Sequence, residues 1–112
     1  MAKKRKVVKV GIVGLGFMGT THFRIHRANA KCVITAIADV DAQKRKGDIS
    51  AVIGNIGKED NSKPLDLTGV KTYANAMDLI ADPEVDVVDI CVPTADHATY
   101  VIAALKAGKH VF

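Results

Sequence analysis

Apolar positions in this chain follow two periods in turn, one suited to buried strands and one to helices, and their order predicts the architecture. Residues 7–13, VVKVGIV, form a mostly β-branched run of the kind found in parallel strands buried on both faces, with Lys9 tolerable near its exposed start. Residues 17–30 place Met18, His22, Ile25 and Asn29 near helical spacing, a weakly amphipathic first helix. Residues 32–38, CVITAIA, read as a second buried strand ending at Asp39. From Ala42 the pattern predicts a helix with Lys44, Arg45 and Lys46 outward and Ala42, Ile49, Val52, Ile53 and Ile56 on one face, weakened by Gly47 and Gly54.

Residues 54–69 are polar and turn-rich, a surface loop longer than most connections. Residues 70–73 predict a short third strand. Asn75 then caps a brief helix through Met77, Leu79 and Ile80, because its side-chain carbonyl can accept an orphan N–H of the first turn; Asp82 and Pro83 stop it. Residues 85–92, VDVVDICV, form a fourth strand. After Pro93, the residues Ala98, Val101, Ile102 and Leu105 fall at i, i+3, i+4 and i+7, the clearest amphipathic helix in the chain, with Thr94 as its N-cap and Gly108 as its C-cap. His110, Val111 and Phe112 begin a fifth strand.

Strands alternating with helices imply an α/β fold: a parallel sheet with helices on both faces and right-handed crossovers, in the order 3-2-1-4-5 of a Rossmann-type doubly wound sheet. Ligands bind such sheets outside the carboxyl ends of the strands, where the strand order reverses. Here that is the space above strands one and four. The turn leaving strand one reads GLGFMG, with Gly14, Gly16 and Gly19 in the G-x-G-x-x-G pattern. Alone the pattern is weak; between a buried strand and a helix, with Asp39 closing the next strand, it becomes a dinucleotide fingerprint. Gly14 permits the tight turn, Gly16 removes the Cβ that would meet a pyrophosphate, and Gly19 lets the helix pack against the strand. Phosphates would lie on backbone N–H groups at the helix N-terminus. Asp39 is placed to accept the adenosine ribose hydroxyls and to repel a 2′-phosphate, which favours NAD over NADP; Lys44 and Arg45 leave NADP as the minority case.

The remaining chemistry is sparse. His22 and His26 stand one helical turn apart, but no third metal ligand is evident beside them and no metal site is expected. His97 falls in the first turn after strand four, either lining the pocket or on the surface. Asp86 and Asp89 read as strand-end or partner-facing carboxylates. Cys32 and Cys91 sit in β-branched runs as small buried hydrophobes, expected to be reduced, which points to a cytoplasmic location. The formal net charge of +4 owes much to Lys3, Lys4, Arg5 and Lys6, a solvated lead-in and not a nucleic-acid surface. No apolar run approaches a membrane span, and basic residues from His22 to Arg27 argue against a signal peptide. With 48% hydrophobic and 25% charged residues over 112 positions, one soluble globular domain is expected.

Taken together, GLGFMGTTH, IADVD, DPEVDVVDICVPTADH and the ending AGKHVF resemble the N-terminal half of the glucose–fructose oxidoreductase, inositol dehydrogenase and rhizopine-catabolism (Gfo/Idh/MocA) family over nearly the whole length. The resemblance implies NAD(P)-dependent chemistry at a hydroxyl-bearing carbon of a sugar, polyol or related compound. It also implies that the family pattern continues past this ending into Glu-Lys-Pro, whose lysine serves catalysis, and a larger substrate domain. Residues 1–112 thus read as a dinucleotide-binding domain, incomplete at its C-terminus, without a catalytic residue of its own. The resemblance assigns Gly14, Gly16, Phe17, Met18 and Gly19 to the pyrophosphate, Asp39 to the ribose, and Val92, Pro93, Thr94 and His97 to the path toward the nicotinamide. Where the family often has Thr-Pro-Asn, this chain has Val92-Pro93-Thr94, which removes that Asn contact. The alternatives are a non-catalytic nucleotide-binding regulator of the same family and another NAD(P)-dependent reductase. An exposed edge at strand five predicts self-association.

Overall fold

The computed structural model describes residues 7–50 and 64–112. The basic lead-in, the second half of the helix expected after Ala42 and most of the polar loop fall outside these residues. Among the described residues the chain order is β1 (Val8–Val13), α1 (Phe17–Ala28), β2 (Cys32–Ala38), α2 (Ala42–Arg45), β3 (Lys71–Tyr73), α3 (Ala76–Ile80), β4 (Val87–Ile90), α4 (Thr94–Lys106) and β5 (His110–Val111). The strands form one five-stranded sheet in the order β3-β2-β1-β4-β5, and each neighbouring pair is parallel. The expected topology is therefore present.

The alternation of side chains along the strands divides the core into two layers. Val13, Ala36, Ala38, Val88 and Ile90 face α3 and α4, joined by Ala76, Leu79, Ile80 and Ala104. Val10, Ile12, Ile34 and Ile37 face the other way, with Phe23 of α1, Ile49 and Leu65. A β-bulge falls where Val10 pairs with Ile34 and Gly11 with Ala36, leaving Thr35 as the extra residue. The bulge explains how Ile34 and Ile37, an odd interval apart, both face α1. The Thr35 hydroxyl donates to Glu84 O at 2.6 Å, so the polar residue of the run has a partner.

Local chemistry sets the helix ends. Asp41 and Asn75 cap α2 and α3, accepting from Gln43 N and Met77 N. The helix expected after Ala42 is only four residues long. It ends at Gly47, whose φ of +91° suits glycine and whose Cβ position lies 2.5 Å from Leu65 O, too close for any side chain. In α4 the N-cap is Pro93, without a side-chain hydrogen bond, and Thr94 is the first helical residue, displacing the cap expected from sequence.

The buried face of α4 also differs from expectation. Ala104 is fully buried, and Tyr100, Val101 and Ala103 pack on the core, while Ile102 and Leu105 are exposed. A small side chain at 104 lets the helix approach the sheet, and that contact, not the apolar count, sets its rotation. The same holds in α1, where Gly19, Thr20 and Phe23 are buried and Met18 and Ile25 are exposed.

Candidate functional site

The strand order reverses between β1 and β4, and a cleft of about 690 Å³ opens there at the carboxyl ends of the strands. Gly14, Gly16, Asp39, Val92 and Pro93 line it as expected, together with Lys44, Asn75, Asp96 and Tyr100. Asp96 and Tyr100 carried little sequence signal. They line the cleft because α4 turns positions 96, 100 and 104 to one side, a spacing of i, i+4 and i+8 that the sequence pattern did not single out. Thr94 and His97 are exposed in the first turn of α4, outside the lining. Phe17 is half-buried and Met18 exposed in the first turn of α1, also outside it.

The glycines of the turn differ in what requires them. Gly14 has φ +93°, and its Cβ position is 2.9 Å from Cys91 O. A Cβ on Gly19 would stand 1.7 Å from Gly14 O, so close packing of turn on helix excludes every other residue. Gly16 is unlike both: its φ of −78° and ψ of −156° are extended backbone, and a Cβ there would meet nothing within 4 Å. The protein itself has no need of glycine at 16. An open cradle on the cleft wall, at the N-cap of a helix, is the shape a pyrophosphate fits.

The start of α1 is suited to an anion. Its N-cap Gly16 provides no side-chain hydrogen bond, and no acidic residue lies in the first turn. By helix geometry the first-turn N–H groups lack intrahelical partners, and the helix dipole places about half a positive charge there. The two shorter helices α2 and α3 are capped by side chains; α1 and α4 are not, and α4 carries Asp96 in its first turn where α1 carries no acid.

Asp39 serves two ends at once. Its Oδ2 accepts from Leu15 N at 2.7 Å and its Oδ1 from Asp41 N at 2.9 Å, tying the glycine turn to the end of β2. Each carboxylate oxygen retains acceptor capacity toward the cleft. Arg45 is committed elsewhere, its Nη1 donating to Asp39 O at 2.9 Å and Val40 O at 3.1 Å. Among the described residues, Lys44 is the basic residue that lines the cleft.

Beneath the glycine turn, on the α1 side of the sheet, lies a polar cluster that corrects the sequence reading. Asp89 is 1% exposed, neither strand-end nor partner-facing. Its Oδ2 is 2.8 Å from both His22 Nδ1 and His26 Nε2. Cys91 Sγ lies 3.3 Å from Asp89 Oδ1 and 3.4 Å from His22 Nδ1, so this half-buried thiol has polar partners. Burial, and secondarily the Asp89 carboxylate, pushes the Cys91 thiol far up. Cys32 is also half-buried, its thiol held up by burial and 3.9 Å from His26 Nδ1. The signal was i, i+4 on the helix and i, i+2 on the strand, legible only once the strand register was known.

A parallel sheet of this order, with a glycine turn entering an uncapped helix at the switch point and an acid closing β2, defines a dinucleotide-binding domain. The family model described as "Oxidoreductase family, NAD-binding Rossmann fold" matches residues 8–112. The chain belongs to this Gfo/Idh/MocA oxidoreductase family. It is 37% identical over 109 residues to an inositol 2-dehydrogenase/D-chiro-inositol 3-dehydrogenase of Lactiplantibacillus plantarum, covering 95% of this chain and 27% of the relative. It is 34% identical over 105 residues to a myo-inositol 2-dehydrogenase of Thermotoga maritima, covering 94% and 27%. A solved scyllo-inositol dehydrogenase of Lactobacillus casei, with NAD(H) and scyllo-inositol bound, superposes with a TM-score of 0.75 at 26% identity, over 96% of this chain and 27% of that one. The chain thus spans about 27% of the length of these relatives.

Proposed function

We propose that this chain is the NAD-binding part of an oxidoreductase acting on a CH–OH group of a sugar, polyol or related compound, and that alone it binds cofactor without turnover. The observation that carries the reading is Gly16, a glycine required neither by backbone conformation nor by packing, set in the wall of the cleft at an uncapped helix start. A bound nicotinamide cofactor would supply the hydride acceptor. The chain's own residues bind and orient it: the α1 N-terminus and Gly16 take the pyrophosphate, and Asp39 takes the adenosine ribose. Val92 and Pro93, at the end of β4, border the path toward the nicotinamide.

Cofactor choice follows from charge. The Asp39 carboxylate disfavours a 2′-phosphate, and Arg45, bonded to the backbone of residues 39 and 40, is not free to offset it. Lys44 allows residual NADP binding. Substrate specificity belongs to residues outside this chain, with inositol-like polyols favoured by the dehydrogenases it resembles. Calorimetric titration with NAD and NADP tests the first part: NAD should bind at least about 10-fold more tightly, a difference of about 1.4 kcal/mol. Equal affinities would overturn the role of Asp39. Incubation with NAD and a panel of inositols and sugars, read by NADH absorbance, tests the second; any turnover by these 112 residues would refute it.

A further inference from the structure

The cluster beneath the glycine turn is not needed to hold a dinucleotide, and its composition is that of a metal site. We propose that His22, Asp89 and Cys91 bind a divalent cation of the zinc class, with His26 bonded to the Asp89 carboxylate as its positioning residue. His22 and His26 stand at i and i+4 on α1, and Asp89 of β4 and Cys91, the residue just past its end, at i and i+2. Two rigid elements thus present nitrogen, oxygen and sulfur to a common point, the donor set favoured by Zn²⁺. The donor atoms of His22, Asp89 and Cys91 all lie within 4.8 Å of one another.

The distances are those of a site nearly formed. Tetrahedral bonds of about 2.0–2.3 Å require donor-to-donor edges of roughly 3.3–3.6 Å. Cys91 Sγ stands 3.3 Å from Asp89 Oδ1 and 3.4 Å from His22 Nδ1, close to that range; because His22 meets the other carboxylate oxygen, Oδ2, the carboxylate turns to offer a single oxygen to the ion. The 2.8 Å separation of His22 Nδ1 from Asp89 Oδ2 is a hydrogen bond and needs to open by about half an ångström when a cation replaces the shared proton; His26 Nε2, 2.8 Å from the same oxygen, orients the carboxylate. One neutral imidazole, one carboxylate and one thiolate balance a double positive charge. The surroundings suit such a site as well: the Phe112 ring lies 5.6 Å from His22 and 6.0 Å from His26, shielding the imidazoles on one side. Asp89 is buried at 1%, whereas the partial exposure of His22 and His26 leaves an approach for the ion.

A cation held here would clamp α1 to β4 directly under the turn that receives the cofactor. The untagged protein, stripped with chelator, should take up one equivalent of Co²⁺ with a thiolate-to-cobalt charge-transfer band in the near ultraviolet, lost on adding Zn²⁺. Cys91→Ser should abolish the band and Cys32→Ser should leave it. His22→Gln should weaken Zn²⁺ binding at least about 10-fold in competition with a chromophoric chelator, comparable to the effect of disturbing a metal-ligand environment. X-ray absorption at the zinc edge on the unmutated protein requires no variant to fold, and should read one sulfur among nitrogen and oxygen neighbours. A sulfur-free shell, binding without saturation at one equivalent, or a band that follows Cys32 instead of Cys91 would overturn the site and leave a hydrogen-bonded cluster only.

Discussion

Gly16 and Gly19 stand three residues apart in one motif, yet substitution should separate them cleanly. A methyl group at 19 has nowhere to go, its position being 1.7 Å from Gly14 O, so Gly19→Ala should cost about 3 kcal/mol or more in denaturant unfolding. Gly16→Ala meets open space and should change stability by less than about 1 kcal/mol while weakening NAD binding at least about 10-fold, since the methyl group enters the pyrophosphate cradle. Equal losses of stability would refute this division. Asp39→Ala should weaken NAD binding markedly and reduce its preference over NADP. From sequence alone that substitution is expected to leave the fold intact. In the structure the side chain also accepts from Leu15 N, beside a fully buried Leu15 side chain, so a further loss of about 1–3 kcal/mol is expected. Asp39→Asn, which keeps an acceptor, should recover much of that stability without restoring cofactor preference.

At the scale of elements, the junction of β3, α3 and β4 rests on one buried carboxylate. Asp82, 4% exposed, accepts from Tyr73 Oη at 2.7 Å, from Glu84 N at 2.8 Å and from Lys71 Nζ at 3.3 Å. Burial alone would push its carboxyl up. The backbone N–H of Glu84, the Tyr73 hydroxyl and the Lys71 ammonium together hold it below the usual carboxylate value, and the same bond pushes the Tyr73 hydroxyl up. A carboxylate depressed in the folded state contributes stability fully present above its unfolded pKa of about 3.9 and lost as pH falls through the folded value. Asp82→Asn should therefore lower stability at pH about 7 by roughly 1–3 kcal/mol and flatten the acid limb of the stability profile. An unchanged acid limb would show that other carboxylates govern it. Nothing in the periodicity marked Asp82 as more than a helix stop, because its partners come from β3 and from the turn before β4.

For the whole molecule, cofactor binding and folding are linked. At a free NAD concentration about 100 times its Kd, the thermal transition should move up by the equivalent of about 2.7 kcal/mol, and the Gly16→Ala protein should show little of this shift at the same concentration. Among the described residues the sheet has edge strands β3 and β5, and Ile102, Leu105 and Phe112 are exposed; we propose that these surfaces pair copies of the chain. Light scattering should show a mass that rises with concentration, reduced by charged residues at 102 and 105; a constant single-chain mass would refute it.

Strand positions, their parallel pairing and the dinucleotide motif were legible in the sequence, because buried strands must be continuously apolar and a pyrophosphate turn tolerates few residue types. The run Cys32–Ala38 appears in the structure with its expected bounds, and Gly14, Gly16 and Asp39 meet in one cleft. Tertiary structure decided what depends on partners far along the chain. It rotated α4 onto Ala104, ended α2 at the close contact of Gly47 with Leu65, and added Asp96 and Tyr100 to the cleft lining. It also brought His22 and His26 onto Asp89, 67 and 63 residues away. The physical reason is common to all of these: periodicity reports which residues prefer burial, whereas packing between elements decides which of them meet.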